Sequence, residues 1–237
     1  MTLARVIDYE TTGKPEDEGA EVIEMGAIDV RLEDGVVLDE TEWGSFCAPR
    51  GPIPPETKAI HHITENDVRH EKPARDLWDE LFEELEEDGS VTCLVAHRAS
   101  FEQHFTPDMG LPWICTYKVA RVVWPDAPGH SNQCLRYWLD LPCDPVRASP
   151  PHRAVPDAYV TAHLFARLLR EKTVEEMVNI SRYPALLRRI TFGTKAKGQT
   201  YEEAPLDYLE WIRDQSSMDE DTKFSARYWI KKRTAAA

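Results

Sequence analysis

Residues 3–13 read LARVIDYETTG, an apolar run that ends in two acidic side chains, Asp8 and Glu10. A spacing of two along a strand places both carboxylates on the same face. Because ionised groups that leave water must be paired or coordinated, such a pair favours a divalent cation with oxygen ligands. The alternative is a strand that runs out into a solvated turn, where both acids are simply exposed.

The neighbouring sequence predicts the sheet to which this strand belongs. Apolar segments predict strands over Leu3–Asp8, Glu21–Val30 and Val36–Cys47, and the turn-rich residues between them suit an antiparallel meander. Val91–Ala96 is typical of a buried strand, and Trp113–Cys115 of a short fifth one.

Helical patterns follow and alternate with the later strands. They cover Pro73–Glu87, Ser100–Phe105, Thr116–Trp124 and Pro156–Arg170, with Pro205–Asp214 and Asp219–Lys232 near the end of the chain. Early strands with later interleaved helices predict an α/β fold: a mixed sheet flanked by helices, with a small, mostly helical C-terminal extension.

A third acid, Asp157, stands on the core-facing side of a predicted helix. Apolar or small side chains follow it at intervals of three, four, seven and eleven, at Val160, Thr161, Leu164 and Leu168. An acid on that stripe either serves a function or caps the first helical turn, and Pro156 beside it suits an early helical position. Both interpretations remain open from the pattern alone.

A histidine, His152, lies five residues before Asp157 on the loop that enters this helix. A histidine near metal-binding carboxylates can take a proton from water at neutral pH, which is the task of a general base. The alternative is an ordinary surface group.

The composition predicts a cytoplasmic globular protein. The chain has 237 residues and 42% hydrophobic content, with no apolar run long enough to span a membrane and no layout of a secretory signal. The five cysteines are scattered and form no close pair, so neither a disulfide framework nor a zinc site is expected. Nothing in the composition fixes an oligomeric state.

The net charge of −14 is unusual for a protein that binds phosphates, but the charge is unevenly distributed. Residues 182–237 contain 11 Lys and Arg against 8 Asp and Glu, so the C-terminal part is the basic one. We therefore expect a domain over 1–175 and a small basic domain over 183–233 that contacts nucleic acid.

Three segments together resemble the motifs of the DEDDh family of 3′→5′ exonucleases. They are VIDYETTG at 6–13, VAHRASFEQHF at 95–105 and PHRAVPD at 151–157, in the order of the family. Two further stretches are similar to its second strand and to the segment before its first long helix: EVIEMGAIDV at 21–30 and AIHHITENDV at 59–68. The resemblance covers most of the chain.

The resemblance implies a ribonuclease H-like fold and release of mononucleotides from DNA 3′ ends. It implies two Mg²⁺ ions per site, for which Mn²⁺ substitutes, with His152 as the proton acceptor and four metal-binding acids: Asp8, Glu10, Glu102 and Asp157. Glu102 departs from the family, which has Asp there, so metal choice and rate are expected to differ. Tyr9, between the first two acids, also departs, and on a strand it points to the opposite face.

Further side chains near the motifs are expected to contact the terminal nucleotide: Thr11, His62, Ile63, Arg98 and Phe101, with His61 beside them. The basic segment Arg188–Lys197 is expected to follow the nucleic-acid backbone, or alternatively to pair with the acidic body. The expected partner is DNA, as a single strand or at a 3′ end, with no membrane partner. The alternatives are an exonuclease that trims RNA 3′ ends and a nucleic-acid-binding module that has lost activity.

Overall fold

The structure of the protein, a computed structural model, describes residues 1–82 and 91–235. A five-stranded sheet has the order β3-β2-β1-β4-β5, with bounds β1 Leu3–Thr11, β2 Val22–Arg31, β3 Val37–Phe46, β4 Val91–Ala96 and β5 Trp113–Cys115. The first three strands form the predicted antiparallel meander, and β4 and β5 continue the sheet in parallel with β1. The predicted mixed sheet is confirmed.

Helices cover both faces of this sheet. Their bounds are α1 Pro55–His61, α2 Glu65–Val68, α3 Ser100–Phe105, α4 Thr116–Val123, α5 Asn132–Trp138, α6 Ala154–Leu168, α7 Val174–Arg182, α8 Leu206–Asp214 and α9 Glu220–Thr234. The segment predicted as a helix over Pro73–Glu87 begins with a 3₁₀ turn at Ala74–Asp76 and is helical at 78–82; its remainder lies outside the described residues. None of the described helices is long and apolar enough to cross a membrane.

The alternation of β1 sends its side chains to two different cores. Ala4 and Val6 pack with the apolar stripe of α6, whereas Ile7 and Tyr9 pack on the other face. Tyr9 is 4% exposed and shares a hydrogen bond of 3.1 Å with the hydroxyl of Thr106. Tyr9 therefore packs on the face opposite the acids, as predicted.

Two glycines allow the start of α6 to reach the sheet. Gly26 of β2 pairs with Asp8 on one side and with Gly44 of β3 on the other. A Cβ at Gly26 would overlap the backbone of Ala154, and one at Gly44 would overlap the side chain of Val155. The first turn of α6 is thereby held against the end of β1.

The C-terminal part has a small core of its own that also contacts the body. Tyr201, Leu209 and Ile212 are fully buried in this core, and Val122 of α4 packs against it. Between the two predicted domains lies α7, whose Met177 is buried in the core of the body. The division at 1–175 and 183–233 stays a prediction.

Candidate active site

Four acidic side chains from three elements make up the candidate site. Asp8 and Glu10 lie near the end of β1, Glu102 in the first turn of α3 and Asp157 in the first turn of α6. The parallel strands β1 and β4 end at the same edge of the sheet, and α3 begins shortly after β4. The topology therefore brings together acids that are far apart in the sequence.

A histidine joins two of these acids. Single ligand atoms of Glu10, His152 and Asp157 all lie within 4.8 Å of one another. A carboxylate, a second carboxylate and an imidazole at this spacing form a donor set that can hold a divalent metal ion. The predicted meeting of these three side chains is present in the fold.

The acids at the end of β1 are strongly disfavoured as a group of free anions. Burial raises the pKa of Asp8 well above its usual value, and the nearby carboxylates of Asp157, Glu102 and Glu10 raise it further. Burial and the charge of Asp157 raise the pKa of Glu10 to about 8. Charges that repel one another in a partly desolvated site favour the binding of a cation.

Glu102 provides the most direct test of whether a metal fits. Its side chain is only 3% exposed, and burial raises its pKa to about 8. Within the described part of the chain its buried Oε2 has no hydrogen-bond partner. Because a buried carboxylate oxygen without a partner is costly, the residues of this site fit a divalent cation.

The loop before α6 holds His152 next to Asp157. The backbone N–H of His152 donates to Oδ2 of Asp157 at 2.8 Å, and its φ of 61° lies in the left-handed region. A left-handed conformation is uncommon for a residue other than glycine and is often found at functional positions. The His152 side chain remains exposed, so it is accessible to water and substrate.

Three further residues support this arrangement and were not predicted. The guanidinium of Arg153 donates to Glu24 at distances from 2.6 to 3.1 Å, and Oε2 of Glu24 also accepts the first N–H of α6, from Ala154, at 3.0 Å. Gln133 donates to Oδ1 of Asp157 at 3.2 Å. Glu24 could have been found as the one acid inside the apolar stretch 22–28, because an acid there needs a partner.

The predicted nucleotide contacts that follow β1 and α1 differ in how far they are exposed to solvent. The hydroxyl of Thr11 donates to the carbonyl of Gly13 at 2.6 Å, so it stabilises its own turn. His62 ends α1 in the left-handed conformation and is exposed. Ile63 is 2% exposed and packs in a small core with Ile23. Their substrate roles stay predictions.

The predicted contacts around α3 point in different directions from Glu102. Arg98 is exposed and stacks over the ring of Tyr117, with 4.2 Å between the guanidinium carbon and the ring centroid. Phe101 is half-buried and packs against Phe105 at a centroid distance of 5.3 Å. Arg98 therefore faces a neighbouring cleft, and its contact with a phosphate stays a prediction.

The basic segment Arg188–Lys197 pairs with the body at one position, and its contact with nucleic acid stays a prediction. Arg189 pairs with Asp126, and Nζ of Lys195 lies 2.6 Å from a carboxylate oxygen of Asp207. In residues 1–82 and 91–235, no carboxylate pairs with the other two cations of the segment, at positions 188 and 197.

Comparisons with known proteins agree with this geometry. The family model described as Exonuclease (RNase_T) matches residues 6–165. Exodeoxyribonuclease 10 of Escherichia coli strain K12 is 31% identical over 235 residues, which cover 97% of this chain and 99% of that protein. The 3′-5′ exonuclease DinG of Bacillus subtilis is 29% identical over 199 residues, covering 78% of this chain and 19% of that protein.

Solved structures show the same fold. Exonuclease X in complex with 5′ overhanging duplex DNA has a TM-score of 0.60 and 32% identity, covering 75% of this chain and 99% of that one. Escherichia coli exonuclease I in complex with a dA16 oligonucleotide has a TM-score of 0.57 and 15% identity, covering 76% of this chain and 42% of that one, and shows the fold alone. The ribonuclease H-like fold and the resemblance to DEDDh exonucleases are confirmed, and the chain belongs to the exonuclease family.

Proposed function

We propose that this protein is a metal-dependent 3′→5′ exodeoxyribonuclease that releases nucleoside monophosphates from DNA 3′ ends. The observation that carries the proposal is the convergence of four acids beside His152: Asp8, Glu10, Glu102 and Asp157. The pKa of Glu10 stays raised to about 8 although the charge of Arg153 lowers it in part. The near full-length similarity to a relative named exodeoxyribonuclease supports DNA as the substrate.

The acids divide into two metal-binding groups in this proposal. Asp8, Glu10 and Asp157 would hold one ion, and Asp8 with Glu102 would hold the second. When bound, two Mg²⁺ ions, for which Mn²⁺ would substitute, would supply positive charge to the scissile phosphate and lower the pKa of the attacking water. The unpartnered oxygen of Glu102 supports its place in the second group.

His152 accepts the proton of the attacking water. Its exposure and its position within 4.8 Å of the carboxylate oxygens of Glu10 and Asp157 support this role. The backbone hydrogen bond to Asp157 keeps the loop at the site while the ring remains accessible. Hydrolysis by water with a general base needs no covalent enzyme intermediate.

The substrate side of the proposal keeps the residues named from the sequence. The terminal nucleotide contacts Thr11, His62, Ile63 and Phe101, and Arg98 contacts a phosphate. In the basic domain over 183–233, the cations of segment Arg188–Lys197 follow the strand beyond the exonuclease domain, and two of them, Arg188 and Lys197, pair with no carboxylate in the described part of the chain. A cytoplasmic location and a role in DNA repair or end trimming stay predictions.

Replacement of His152 by Ala tests the function. We expect the rate at which a 5′-labelled DNA strand is shortened from its 3′ end to fall about 10²- to 10⁴-fold, as for the loss of a general base. His70→Ala is the matched control, because His70 is exposed and forms no hydrogen bond or ion pair among the described residues. An undiminished rate for His152→Ala would exclude it as the base.

The same assay separates the alternatives. Release from an RNA strand at a rate equal to or above that from DNA would favour the RNA-trimming enzyme, because the acids do not read the sugar. Binding of DNA without any release, in Mg²⁺ and in Mn²⁺, would favour a binding module that has lost activity.

A further inference from the structure

A second concave surface lies beside the acid site, between the body and the C-terminal part. This cleft has a volume of about 720 Å³ and is bordered by α3, α4, the end of α7 and the start of α9. Four cationic side chains line it: Arg98, Lys118, Arg121 and Arg182. A cleft rich in cations stands out in a chain whose net charge is −14.

The acids that line the cleft are already paired. Arg121 lies 3.1 Å from Asp219, Lys118 lies 3.3 Å from Asp221, and Glu220 is paired with Arg227 of its own helix at 3.1 Å. These carboxylates therefore do not repel an anionic ligand as free anions would.

The other two cations are available to a ligand. Over residues 1–82 and 91–235, neither Arg98 nor Arg182 is within ion-pair distance of a carboxylate, and both are exposed. Arg98 is held in the left-handed region at a φ of 76°, which is costly for an arginine and uncommon outside functional positions. A guanidinium is well suited to phosphate oxygens because its donors form a planar fork.

Aromatic side chains complete the lining. The ring of Tyr117 lies between Arg98 and Arg121, whose guanidinium carbons are 4.2 and 5.3 Å from its centroid. Trp113 is half-buried on the same surface. Tyr117 therefore orients the two guanidinium groups, while Trp113 offers a ring on which a base can stack. Cations beside an aromatic ring are typical of surfaces that bind single-stranded nucleic acid, since phosphates meet the cations and a base stacks on the ring.

The cleft is separated from the acids by the width of one short helix. In α3, Glu102 contributes to the acid site, while Ser100 and Gln103 line the cleft. A helix with its side chains is about 10 Å wide, which corresponds to about three nucleotides at the spacing of a stacked strand. A strand whose 3′ end lies at the acids therefore needs a few nucleotides to reach the cleft.

We propose that this cleft binds the substrate strand a few nucleotides on the 5′ side of the scissile bond, with Arg98 and Arg182 on its phosphates. The proposal rests on the 3′ exonuclease function above. Arg182 is a contact that none of the sequence motifs indicated, because it lies at the end of α7, outside all three of them.

Substrate length provides the test. We expect Arg182→Ala to raise KM about tenfold for a long single-stranded oligonucleotide, as for the loss of one charged contact, and to leave hydrolysis of a dinucleotide unchanged. In binding experiments with the same oligonucleotide, the slope of log Kd against log salt should fall by about 0.7. Arg170→Ala is the matched control: Arg170 is exposed, is unpaired among the described residues and follows the far end of α6.

The outcomes distinguish this proposal from the proposed function. An equal effect of Arg182→Ala on both substrates, or no effect on the oligonucleotide and on the salt slope, would overturn the cleft as a strand-binding site. Failure of the wild-type protein to hydrolyse either substrate would overturn the exonuclease function instead. If the protein is inactive but Arg182→Ala still lowers the slope of log Kd against log salt, the cleft as a strand-binding site would remain supported.

Discussion

Two groups of carboxylates in this protein differ in whether a cation faces them. At the end of β1, burial and mutual repulsion raise the pKa of Asp8, Glu10 and Glu102. At the start of α9, burial would raise the pKa of Asp219, but the charge of Arg121 and hydrogen bonds from Thr222 and Arg121 hold it below its usual value.

The difference distinguishes a candidate metal site, at the end of β1, from a structural ion-pair cluster, at the start of α9. Arg121 is 7% exposed and lies 3.1 Å from Asp219 and 3.7 Å from Asp221, so these charges are satisfied within the protein. Within residues 1–82 and 91–235, no cation forms an ion pair with Asp8, Glu10 or Glu102; Arg153 pairs with Glu24 and only partly offsets the raised pKa of Glu10. The repulsion that the fold leaves in place is offset only when a cation is bound, which is typical of a metal site.

Replacement of Asp8 by Asn gives the largest expected effect. Loss of an acid shared by both metal groups should lower hydrolysis at least about 10³-fold, because several kcal/mol of charge stabilisation are removed. The melting temperature of the metal-free variant should rise, because one repelling charge is gone. Hydrolysis rates in Mg²⁺ measure the first effect, and thermal unfolding in EDTA measures the second. Asp79→Asn on the exposed surface is the control. A lower melting temperature in EDTA would contradict the repulsion.

Replacement of Arg121 by Ala should have the opposite pattern. Removal of Arg121 takes the ion pair from Asp219 and leaves Asp221 with Lys118 alone. Unfolding should therefore become easier by about 2 kcal/mol, while hydrolysis of a dinucleotide by the folded protein changes little. Urea unfolding and rates at low temperature check this. A loss of rate as large as that of Asp8→Asn would mean that the two groups are not separate.

The sequence was sufficient where one residue pattern determines one local structure. Alternation along β1 predicted both the shared face of Asp8 and Glu10 and the opposite packing of Tyr9. The stripe on α6 predicted that Asp157 faces the sheet, and Val160 and Leu164 are fully buried on that stripe.

What the sequence did not predict depends on contacts between distant segments. The helices α1, α2 and α5 were missed because each has at most seven residues, so that tertiary packing decides whether it forms. Helix α7 is an exception, because the capping box of Thr173 and Glu176 at its start is a local signal that the sequence carries. The pairing of Glu24 with Arg153 joins residues 129 positions apart, and no local pattern carries it. The cleft likewise exists only because α9 returns to α4.

Replacement of Glu24 by Gln tests how the ion pair between Glu24 and Arg153, at the start of α6, supports the acids. Loss of the ion pair with Arg153 should loosen the loop that carries His152 and lower activity and Mn²⁺ affinity about 10- to 100-fold, as for other residues that orient metal ligands. Calorimetric titration of Mn²⁺ gives a readout besides activity. Glu24→Asp keeps the charge and should lose less. Equal losses in both variants would point to a purely structural role.

The pH dependence of stability distinguishes the acids at the end of β1 from those at the start of α9 without any mutation. In the unfolded chain, glutamates release protons near their usual pKa of about 4.5, whereas Glu10 and Glu102 retain theirs up to about 8. The folded state therefore loses stability as pH rises through this window, and the melting temperature in EDTA should fall by roughly 5 °C between about pH 6 and pH 9. The lowered pKa of Asp219 acts only under more acidic conditions. Mg²⁺ should remove most of the decline; a decline of equal size with Mg²⁺ would contradict the assignment.

Replacement of Glu102 by Asp, the residue of the family motif, should lower the rate less than the other replacements at the acid site. Removal of one methylene retracts the carboxylate by about 1.5 Å, while the helix that carries it stays in place. Mg²⁺ tolerates a displaced ligand poorly because it requires near-ideal octahedral geometry. The Mg²⁺-supported rate should fall by about tenfold at most and more than the Mn²⁺-supported rate, as parallel titrations of the two metals will measure. A rise in the Mg²⁺-supported rate would mean that the unpartnered oxygen of Glu102 is a poorly placed ligand, and that the second metal group is built on a different oxygen.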